Sequence, residues 1–176
     1  MITKYLPKFK VMEVNNLAGL RIGHVLAQHQ AATGIAKVQV GNTSFIENGI
    51  IVGLGSDGKI ANYDATKHAQ PFVHYTEEIL TMLPGLEHFA VEPDEDGNYY
   101  PRAIGLYVGD AFTTNNYVKG AVTGDGFAKV VNGVLNLQAA ADGDTLFIAK
   151  KGTMPNGEEG YEFTYCGKVV TTTATA

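Results

Sequence analysis

The sequence is short of the residues on which several common functions depend. Of its 176 residues only one is a cysteine and none is a tryptophan. Charged residues make up 18% of the chain, and only two of them, Arg21 and Arg102, are arginines. The lone Cys166 excludes an intramolecular disulfide and a cysteine-rich zinc site. We interpret it as a small residue within a strand.

The charge balance and the lack of long apolar runs argue against two classes of partner. The formal net charge is -5 at pH 7, whereas a nucleic-acid binder needs clustered lysine and arginine to displace the counterions of phosphate. The opening residues MITKYLPKFK lack the apolar stretch of a signal peptide, and no run approaches the ~20 apolar residues that cross a bilayer. We therefore expect a soluble, non-exported protein without nucleic-acid or membrane partners.

Catalytic and metal-binding patterns are also scarce. The two serines, Ser44 and Ser56, do not lie in a G-x-S-x-G nucleophile elbow. The segment GLGSDG, residues 53–58, has no helix pattern after it, so we interpret it as a hairpin rather than a dinucleotide-binding loop. No two of the five histidines have the i, i+4 spacing of a zinc-binding helix. They are His24, His29, His68, His74 and His88. The sequence predicts no enzyme, no catalytic residue, no metal site and no cofactor.

Acidic residues concentrate in one part of the chain. Residues 77–110 contain eight acidic residues and a single basic one, which is a net charge of -7. Within them, EPDEDG at 92–97 resembles the start of a calcium loop, but Ala103 stands where the twelfth-position carboxylate would be needed. We interpret residues 92–97 as a solvated acidic turn.

A high density of turn signals is the most informative feature that the sequence does have. Seven Asn-Gly or Asp-Gly pairs separate short runs rich in β-branched and aromatic residues. Glycine enters left-handed conformations without a Cβ clash, so such pairs favour the tight turns of β-hairpins. The pairs begin at Asn48, Asp57, Asp96, Asp125, Asn132, Asp142 and Asn156.

The runs between these turns predict strands. Strands at this spacing predict a mainly β fold, an antiparallel sandwich or barrel built from hairpins. At most one or two short helices fit, at 76–83 and at 24–32, and the second segment can also form a strand and a loop. The predicted strands are 49–55, 59–63, 104–109, 127–131, 134–138, 145–151 and 161–173.

The beginning of the chain differs from the rest. Residues 1–40 have five basic residues and one acidic residue, a net charge of +4, and no turn pair. Two interpretations stay open: an N-terminal arm that orders on a partner, or an edge strand that completes the sheet. We divide the chain into this arm with the first strands, 1–40, and a β-rich domain, 41–176. The apolar anchors and flanking lysines of the candidate arm are Lys4, Tyr5, Leu6, Lys8, Phe9, Lys10 and Val11.

The segment IGLYVGDAFTTNNYV, residues 104–118, has a distinctive composition without obvious chemistry. Threonine and asparagine side chains at a junction between two strands can bond to backbone groups and stabilise an irregular turn. We interpret the segment as a structural corner. Its candidate residues are Asp110, Phe112, Thr113, Thr114 and Asn115.

Two blocks of the sequence resemble small virion structural proteins of tailed bacteriophages, of the capsid decoration or head-fibre type. They are IENGIIVGLGSDGKIANYDATKHAQPFVHYTEE (46–78) and YPRAIGLYVGDAFTTNNYV (100–118), together about a third of the chain. The resemblance implies a β-rich, oligomeric protein that binds the outside of an assembled capsid and stabilises it. Its partners would be the major capsid protein and further copies of itself. Its location would be the capsid exterior of the virion, after synthesis in the host bacterial cytoplasm.

We therefore expect a non-enzymatic capsid decoration protein whose N-terminal arm contacts the shell. The alternatives are a tail or head-tail connector subunit and a carbohydrate-binding or hydrolase β-domain. Carbohydrate sites usually present aromatic platforms, which tyrosines would have to supply here in place of tryptophan. The candidate platform residues are Tyr63, Tyr75, Tyr99 and Tyr100.

Overall fold

The structure, a computed structural model, consists of strands, turns and loops throughout the part of the chain that it describes. That part comprises residues 12–16, 25–26, 29–40, 42–75, 90–91, 93–154 and 157–167. Its strands are β1 (Met12–Asn16), β2 (Val25–Leu26), β3 (Val38–Val40), β4 (Thr43–Glu47), β5 (Ile51–Leu54), β6 (Ile60–Asn62), β7 (Phe72–His74), β8 (Ala90–Val91), β9 (Ala103–Gly105), β10 (Ala111–Thr114), β11 (Tyr117–Val118), β12 (Gly126–Val131), β13 (Val134–Gln138), β14 (Thr145–Thr153) and β15 (Glu159–Tyr165).

These strands form three sheets. The seven-stranded sheet has the order β1-β10-β15-β14-β12-β13-β11, the five-stranded sheet β2-β9-β7-β5-β6, and the three-stranded sheet β3-β4-β8. The named strands pair antiparallel apart from β11 with β13, which are parallel. The predicted mainly β, antiparallel sandwich or barrel is confirmed.

The five-stranded sheet is the middle layer, because both of its faces are buried. Successive side chains of a strand point to opposite faces. In β5, Ile51 packs into an apolar cluster shared with the seven-stranded sheet, and its neighbour Val52 packs into a second cluster shared with the three-stranded sheet. A strand buried on both sides must be apolar at consecutive positions, which explains the unbroken run GIIV at 49–52.

Aromatic rings fill the larger of the two clusters. Phe112, Phe147, Phe163 and Tyr161 have side chains with 0% exposure, and they come from three neighbouring strands of the seven-stranded sheet. Phe112 and Phe147 meet edge to face, with ring centroids 6.0 Å apart and planes at 83°. Such pairs contribute roughly 0.5 to 1.5 kcal/mol each beyond the area that they bury.

The described part of residues 1–40 is built into the sheets. Each of its three strands belongs to a different sheet: β1 pairs with β10, β2 with β9 and β3 with β4. β1 lies at the edge of the seven-stranded sheet. Residues 12–16 therefore fit the second of the two interpretations, an edge strand that completes the sheet. Residues 1–11, which contain all seven candidate arm residues, lie outside the described residues.

Two of the seven turn pairs close the hairpins that they predict, and the described residue of a third lies in the same kind of connection. Asp57-Gly58 connects β5 to β6, Asn132-Gly133 connects β12 to β13, and Gly157 lies between β14 and β15. Asn132 and Gly133 have φ angles of 51° and 81°, as the two-residue turn of a right-twisted hairpin requires. The β12–β13 hairpin follows the predicted runs closely.

Other turn pairs are not hairpin turns, and the prediction is wrong for them. Asn48-Gly49 takes the chain from β4 to β5, which belong to different sheets. Asp142-Gly143 connects β13 to β14, which lie on either side of β12. Asp125-Gly126 leads into the start of β12. A turn pair determines only the local reversal, because strand pairing depends on which apolar faces can be buried together.

The helix predictions have mixed outcomes. Residues 76–83 lie outside the described residues. In 24–32, Val25–Leu26 is a strand, so the strand-and-loop alternative holds there. The predicted strand 104–109 ends early, because residues 106–109 form a loop and turn. The described residues contain no helix with the length and hydropathy of a membrane crossing.

A crossing segment, residues 48–50, takes the chain through the interior from the three-stranded to the five-stranded sheet. Backbone groups buried there need partners, and His74 of β7 provides three. Its Nδ1 lies 2.7 Å from the carbonyl oxygen of Glu47, its carbonyl accepts from the amide of Gly49, and its amide donates to the carbonyl of Ile50, both at 2.9 Å.

Residues next to strands of the seven-stranded sheet also form hydrogen bonds with the crossing segment and with Ile51, the residue that follows it. The side-chain amide of Asn116 donates to the carbonyl of Asn48 at 2.7 Å, and the carbonyl of Gly133 accepts from the amide of Ile51 at 2.7 Å. Asn48, with 0% exposure, and Asn116 are buried polar residues. These hydrogen bonds therefore join the middle layer to the largest sheet.

The titration of His74 is expected to make the protein less stable in mild acid. Burial lowers the pKa of His74 to about 4 from 6.5, although the hydrogen bond to Glu47 opposes the shift. Because the folded pKa is depressed, the full contribution to stability is present above pH 6.5 and is lost as the pH falls toward 4. The loss is roughly 3 kcal/mol when the pKa difference is converted to free energy. Urea unfolding of the wild type from pH 7 to pH 4.5 measures it.

His74→Asn keeps a donor near the Glu47 carbonyl but cannot titrate. The free energy of unfolding of this variant should fall less steeply than that of the wild type over the same pH range, whatever its value at pH 7. His29→Asn, at a histidine with an exposed hydrogen bond to Gly58, is the control and should keep the wild-type slope. Equal slopes for wild type and His74→Asn would contradict the prediction.

Gly133→Ala should loosen the contact between the largest sheet and the middle layer. At Gly133, φ is +81°, and an added Cβ would lie 2.7 Å from Oδ1 of Asn62 and 3.2 Å from the carbonyl oxygen of Ile51. Gly58→Ala is the matched control, since Gly58 has φ +74° and no heavy atom within 4 Å of the added Cβ. Both variants should lose about 1 kcal/mol to backbone strain, and Gly133→Ala should lose roughly 1 to 3 kcal/mol more to overpacking. Urea unfolding at pH 7 measures the free energy of unfolding of both variants. Equal losses would show that the close approach at position 133 does not affect stability.

Candidate binding groove

An open groove of about 960 Å³ lies between two walls at the β6 edge of the five-stranded sheet. The first wall is residues 61–69, the end of β6 and the turn after it. The second wall is residues 129–132, at the tip of the β12–β13 hairpin, together with Gly143, Asp144 and Leu146. Tyr165, the last residue of β15, completes the lining. We call this site the groove.

A single residue of β5 connects the two walls. Ile51 donates its amide at 2.7 Å to the carbonyl of Gly133, the residue next to the second wall, and its carbonyl accepts at 3.0 Å from the amide of Tyr63 in the first wall. The Ile51 side chain is fully buried. The distance between the walls is therefore set by the interior of the protein and not by flexible surface loops.

Asn62 fixes the start of the first wall. Its side-chain oxygen accepts from the amide of Ala36 at 2.8 Å, and its side-chain nitrogen donates to the carbonyl of Gly34 at 3.1 Å. The same oxygen is the atom that a Cβ at position 133 would meet. The two walls can approach each other at this point because residue 133 is glycine.

A tight turn centred on Asp64 shapes the rest of the first wall. Its carboxylate accepts from the amide of Thr66 at 2.9 Å and from the hydroxyl of Thr66 at 2.6 Å, and it pairs with the ammonium of Lys67 at 3.0 Å. The hydrogen bonds from Thr66 first, and then those from Lys67, hold the pKa of Asp64 well below its usual range. The carboxylate is thus ionised at neutral pH and acts as the acceptor that closes this turn.

His68 lies at the base of the first wall. Its side chain is 8% exposed, its Nδ1 accepts from the amide of Asp64 at 2.9 Å, and its ring is tilted against that of Tyr63 with centroids 6.0 Å apart. An added Cβ at Gly53 of β5 would lie 2.2 Å from Cγ of His68. The glycine therefore makes the space in which the imidazole packs.

Charged and polar side chains also support the second wall. Lys129 pairs with Asp142 at 3.2 Å, and the same carboxylate accepts from the side-chain amide of Gln138 at 2.6 Å and from the amide of Asp144 at 2.9 Å. The hydrogen bond from Gln138 is the largest of the causes that lower the pKa of Asp142 to about 2. This network anchors the turn at residues 143–144 that leads into β14.

At neutral pH the groove presents neutral phenol hydroxyls and three charged side chains that are held in ion pairs. Burial raises the pKa of the phenols of Tyr63 and Tyr165, so both stay protonated. Asp64, Lys67 and Lys129 are held in ion pairs. This arrangement suits hydrogen bonding and ring stacking with a ligand, whereas a general base or a nucleophile needs a pKa tuned toward neutral pH.

A second ionic cluster lies outside the groove, at the beginning of β15. Glu159 pairs with Lys119 at 2.7 Å and with Lys151 at 3.0 Å, and its carboxylate accepts from the hydroxyl of Tyr117 at 3.2 Å. Hydrogen bonds from the two lysines lower the pKa of Glu159 to about 2, and burial foremost raises that of Tyr117. A carboxylate kept ionised in this way is a structural link between strands and not an acid near neutral pH.

The residues of the predicted corner are placed in two different settings. Phe112 and Thr113 lie within β10, which pairs on both sides, and so they are in a regular strand rather than in a turn. Asp110 precedes the strand, and its carboxylate accepts from the amide of Tyr107 at 2.9 Å. The irregular part thus begins before β10 and resumes after it.

Thr114 and Asn115 stand at the far end of β10, where backbone groups are bonded by side chains. The hydroxyl of Thr114 accepts from the amide of Asn116 at 3.0 Å, and the side-chain amide of Asn115 donates to Glu158 at 2.7 Å. Asn116, absent from the predicted set, is the residue that reaches the crossing segment. Its burial was not signalled by the sequence pattern.

The acidic segment at 92–97 includes a turn closed by one of its own carboxylates. Asp94 accepts from the amides of Asp96 at 3.0 Å and Asn98 at 2.7 Å, which is the Asx-turn pattern. Glu92 lies outside the described residues. Among the residues that the structure does describe, no three His, Cys, Asp or Glu side chains are grouped so that they could hold a metal ion.

Cys166 is half-buried and directed to the backbone. Its Sγ lies 3.1 Å from the carbonyl oxygen of Leu146, and burial raises the pKa of its thiol. A raised pKa disfavours the reactive thiolate. The residue follows directly after β15, which ends at Tyr165, so the interpretation of Cys166 as a residue within a strand is wrong by one position.

The groove itself was missed by the sequence analysis. Its lining comes from four separate segments, and only Tyr63 among them belonged to a predicted candidate set, that of the aromatic platforms. Of the other platform candidates, Tyr75 packs against the larger apolar cluster and Tyr99 lies in the smaller one. Tyr100, 47% exposed, does not line the groove.

Comparisons of the chain with protein-family models, with curated proteins and with solved structures find no match. The groove and the surfaces around it therefore have to be interpreted from their own chemistry.

Gly53→Ala should disturb the first wall of the groove through His68. The added Cβ overlaps the imidazole ring, so the ring must leave its place, at a cost of roughly 1 to 3 kcal/mol in the free energy of unfolding. Gly34→Ala is the control, because an added Cβ there has no heavy atom within 4 Å, and it should change stability by less than about 1 kcal/mol. Urea unfolding at pH 7 measures both, and a Gly53→Ala variant as stable as Gly34→Ala would contradict the packing argument.

Proposed function

We propose that the chain is a non-enzymatic virion structural protein that decorates the capsid of a tailed bacteriophage and stabilises the shell from outside. The resemblance of residues 46–78 and 100–118 to such proteins is the starting point. The mainly β fold agrees with what that resemblance implies. The partners in this proposal are the major capsid protein and further copies of the chain.

The observation that supports the proposal most directly is the position of β1. This strand ends the largest sheet of the described structure, and residues 1–11 immediately precede it. A segment that enters at a sheet edge can add to an exposed edge of a neighbouring protein with main-chain hydrogen bonds. Met12, the first residue of β1, is 2% exposed and so secures the base of that segment in the core.

The composition of residues 1–11 suits a capsid-gripping arm. Tyr5, Leu6, Phe9 and Val11 supply apolar anchors, and Lys4, Lys8 and Lys10 flank them. Apolar anchors supply the affinity of an extended segment once it orders on its partner. The lysines would favour an acidic region of the shell and speed the encounter.

Stabilisation of a shell by such a protein requires no reactive centre. A stable interface buries roughly 1,200 to 2,000 Å², and a domain of this size can contact more than one neighbouring capsomer. Repetition over a lattice turns modest contacts into strong overall attachment. The packed core, with both faces of β5 buried, supports the surfaces that would make such contacts.

Deletion of residues 1–11 should abolish capsid binding and leave the domain folded. The deletion stops before Met12 because that side chain is part of the core. We expect an unchanged far-ultraviolet circular dichroism spectrum and thermal midpoint. In cosedimentation with purified empty capsids of the encoding phage, the apparent affinity should fall by at least about tenfold.

Two further variants separate the contributions of the arm. Replacement of Tyr5, Leu6 and Phe9 by serine should cause most of the loss, and replacement of the three lysines by glutamine should mainly slow association at low salt and reduce the salt sensitivity of binding. Val118→Ser, at an exposed residue of β11 on the other edge of the sheet, is the control and should bind as wild type. Full binding by the deletion variant would reject the arm, and cosedimentation with tails instead of heads would favour the tail or connector alternative.

A further inference from the structure

The groove is a separate candidate site, because none of its described lining residues belongs to residues 1–11, the proposed capsid attachment. Its walls are held apart by hydrogen bonds from the buried Ile51, and its volume of about 960 Å³ is at the upper end of the range for ligand sites. We propose that the groove binds a neutral carbohydrate chain. The proposal does not depend on the capsid-binding function.

Two tyrosines supply the aromatic surfaces that sugar rings pack against. Tyr63 and Tyr165 both line the groove, and both are partly buried against the larger apolar cluster. The ring of Tyr165 contacts that of Phe147, with centroids 5.5 Å apart, and Tyr63 contacts His68. Rings that are already immobilised lose little conformational entropy when a ligand binds.

The charges of the groove favour a ligand with hydroxyl groups over an anion. Two aspartates and two lysines line it, Asp64, Asp144, Lys67 and Lys129, and their formal charges cancel. A phosphate-bearing ligand would need an excess of cations, whereas a sugar hydroxyl both donates and accepts and can bridge the members of an ion pair. Asp64 and Lys67 form such a pair at the rim, 3.0 Å apart.

The open shape favours a chain over a small compact ligand. The groove is partly open to solvent between the two walls and is not fully enclosed. Small-molecule sites usually bury most of the ligand surface, whereas a site that is partly open to solvent leaves room for the further sugar units of an oligosaccharide. Exposed small side chains, Ala65 and Ala69, lie along the first wall and leave room for the sugar rings.

The test uses the full chain on an array of neutral and acidic glycans. The neutral glycan that is retained best is then titrated calorimetrically against the wild type and two double variants. Ala65→Gln with Ala69→Gln fills the groove with neutral side chains at exposed positions. Ala139→Gln with Ala140→Gln makes the same change at exposed positions that do not line the groove, and both variants are first checked for wild-type circular dichroism.

We expect neutral glycans to be retained, and the affinity to fall by at least about tenfold in the groove-filled variant and to stay at the wild-type value in the matched control. Three results would overturn the proposal: no retained neutral glycan, retention of acidic glycans alone, or equal binding by the two double variants. Because the assay contains no capsid, its outcome is independent of the fate of the capsid-binding proposal. The deletion of residues 1–11 should leave glycan binding unchanged.

Discussion

The fold depends on one constraint: the polar groups of a chain that crosses between sheets inside the protein must all find partners there. At residues 48–50 the chain leaves the three-stranded sheet and enters the middle layer, and His74 and Asn116 supply side-chain and backbone hydrogen bonds to it. An unpaired buried group costs about 1 to 3 kcal/mol. These directional hydrogen bonds therefore link the three sheets, in addition to the non-directional contacts of the apolar clusters.

The same region determines the shape of the groove. Ile51, the first residue after the crossing segment, bonds to both walls through its backbone. Two glycines then allow the close contacts that finish the site: Gly133 lets the hairpin tip approach Asn62, and Gly53 leaves space for His68. The shape of the groove thus depends on contacts in the protein interior, whereas the proposed capsid attachment uses residues 1–11. The two proposals therefore assign the shell and the glycan to different residues of the chain.

Much of the strand pattern could be predicted from sequence, because β-branched runs and Gly-containing turns act over a few residues. Residues 134–138 form a strand with the predicted bounds, and Asn132-Gly133 forms the expected two-residue turn. Asn48-Gly49 has the same local chemistry but joins two sheets instead of closing a hairpin. The candidate groove could not be predicted, since its residues are brought together from four separate segments. Tyr165, far from Tyr63 in sequence, is the clearest example.

By itself the sequence determined the mainly β class, the turn positions and the scarcity of reactive side chains, because these follow from local conformational preferences and composition. Only the tertiary structure decided that Ile51 and Val52 face different apolar clusters, that β13 and β14 are separated by β12, and that charged residues of the groove are paired. The physical reason is that burial and charge pairing depend on distances between residues remote in sequence, and those distances exist only once the sheets have packed.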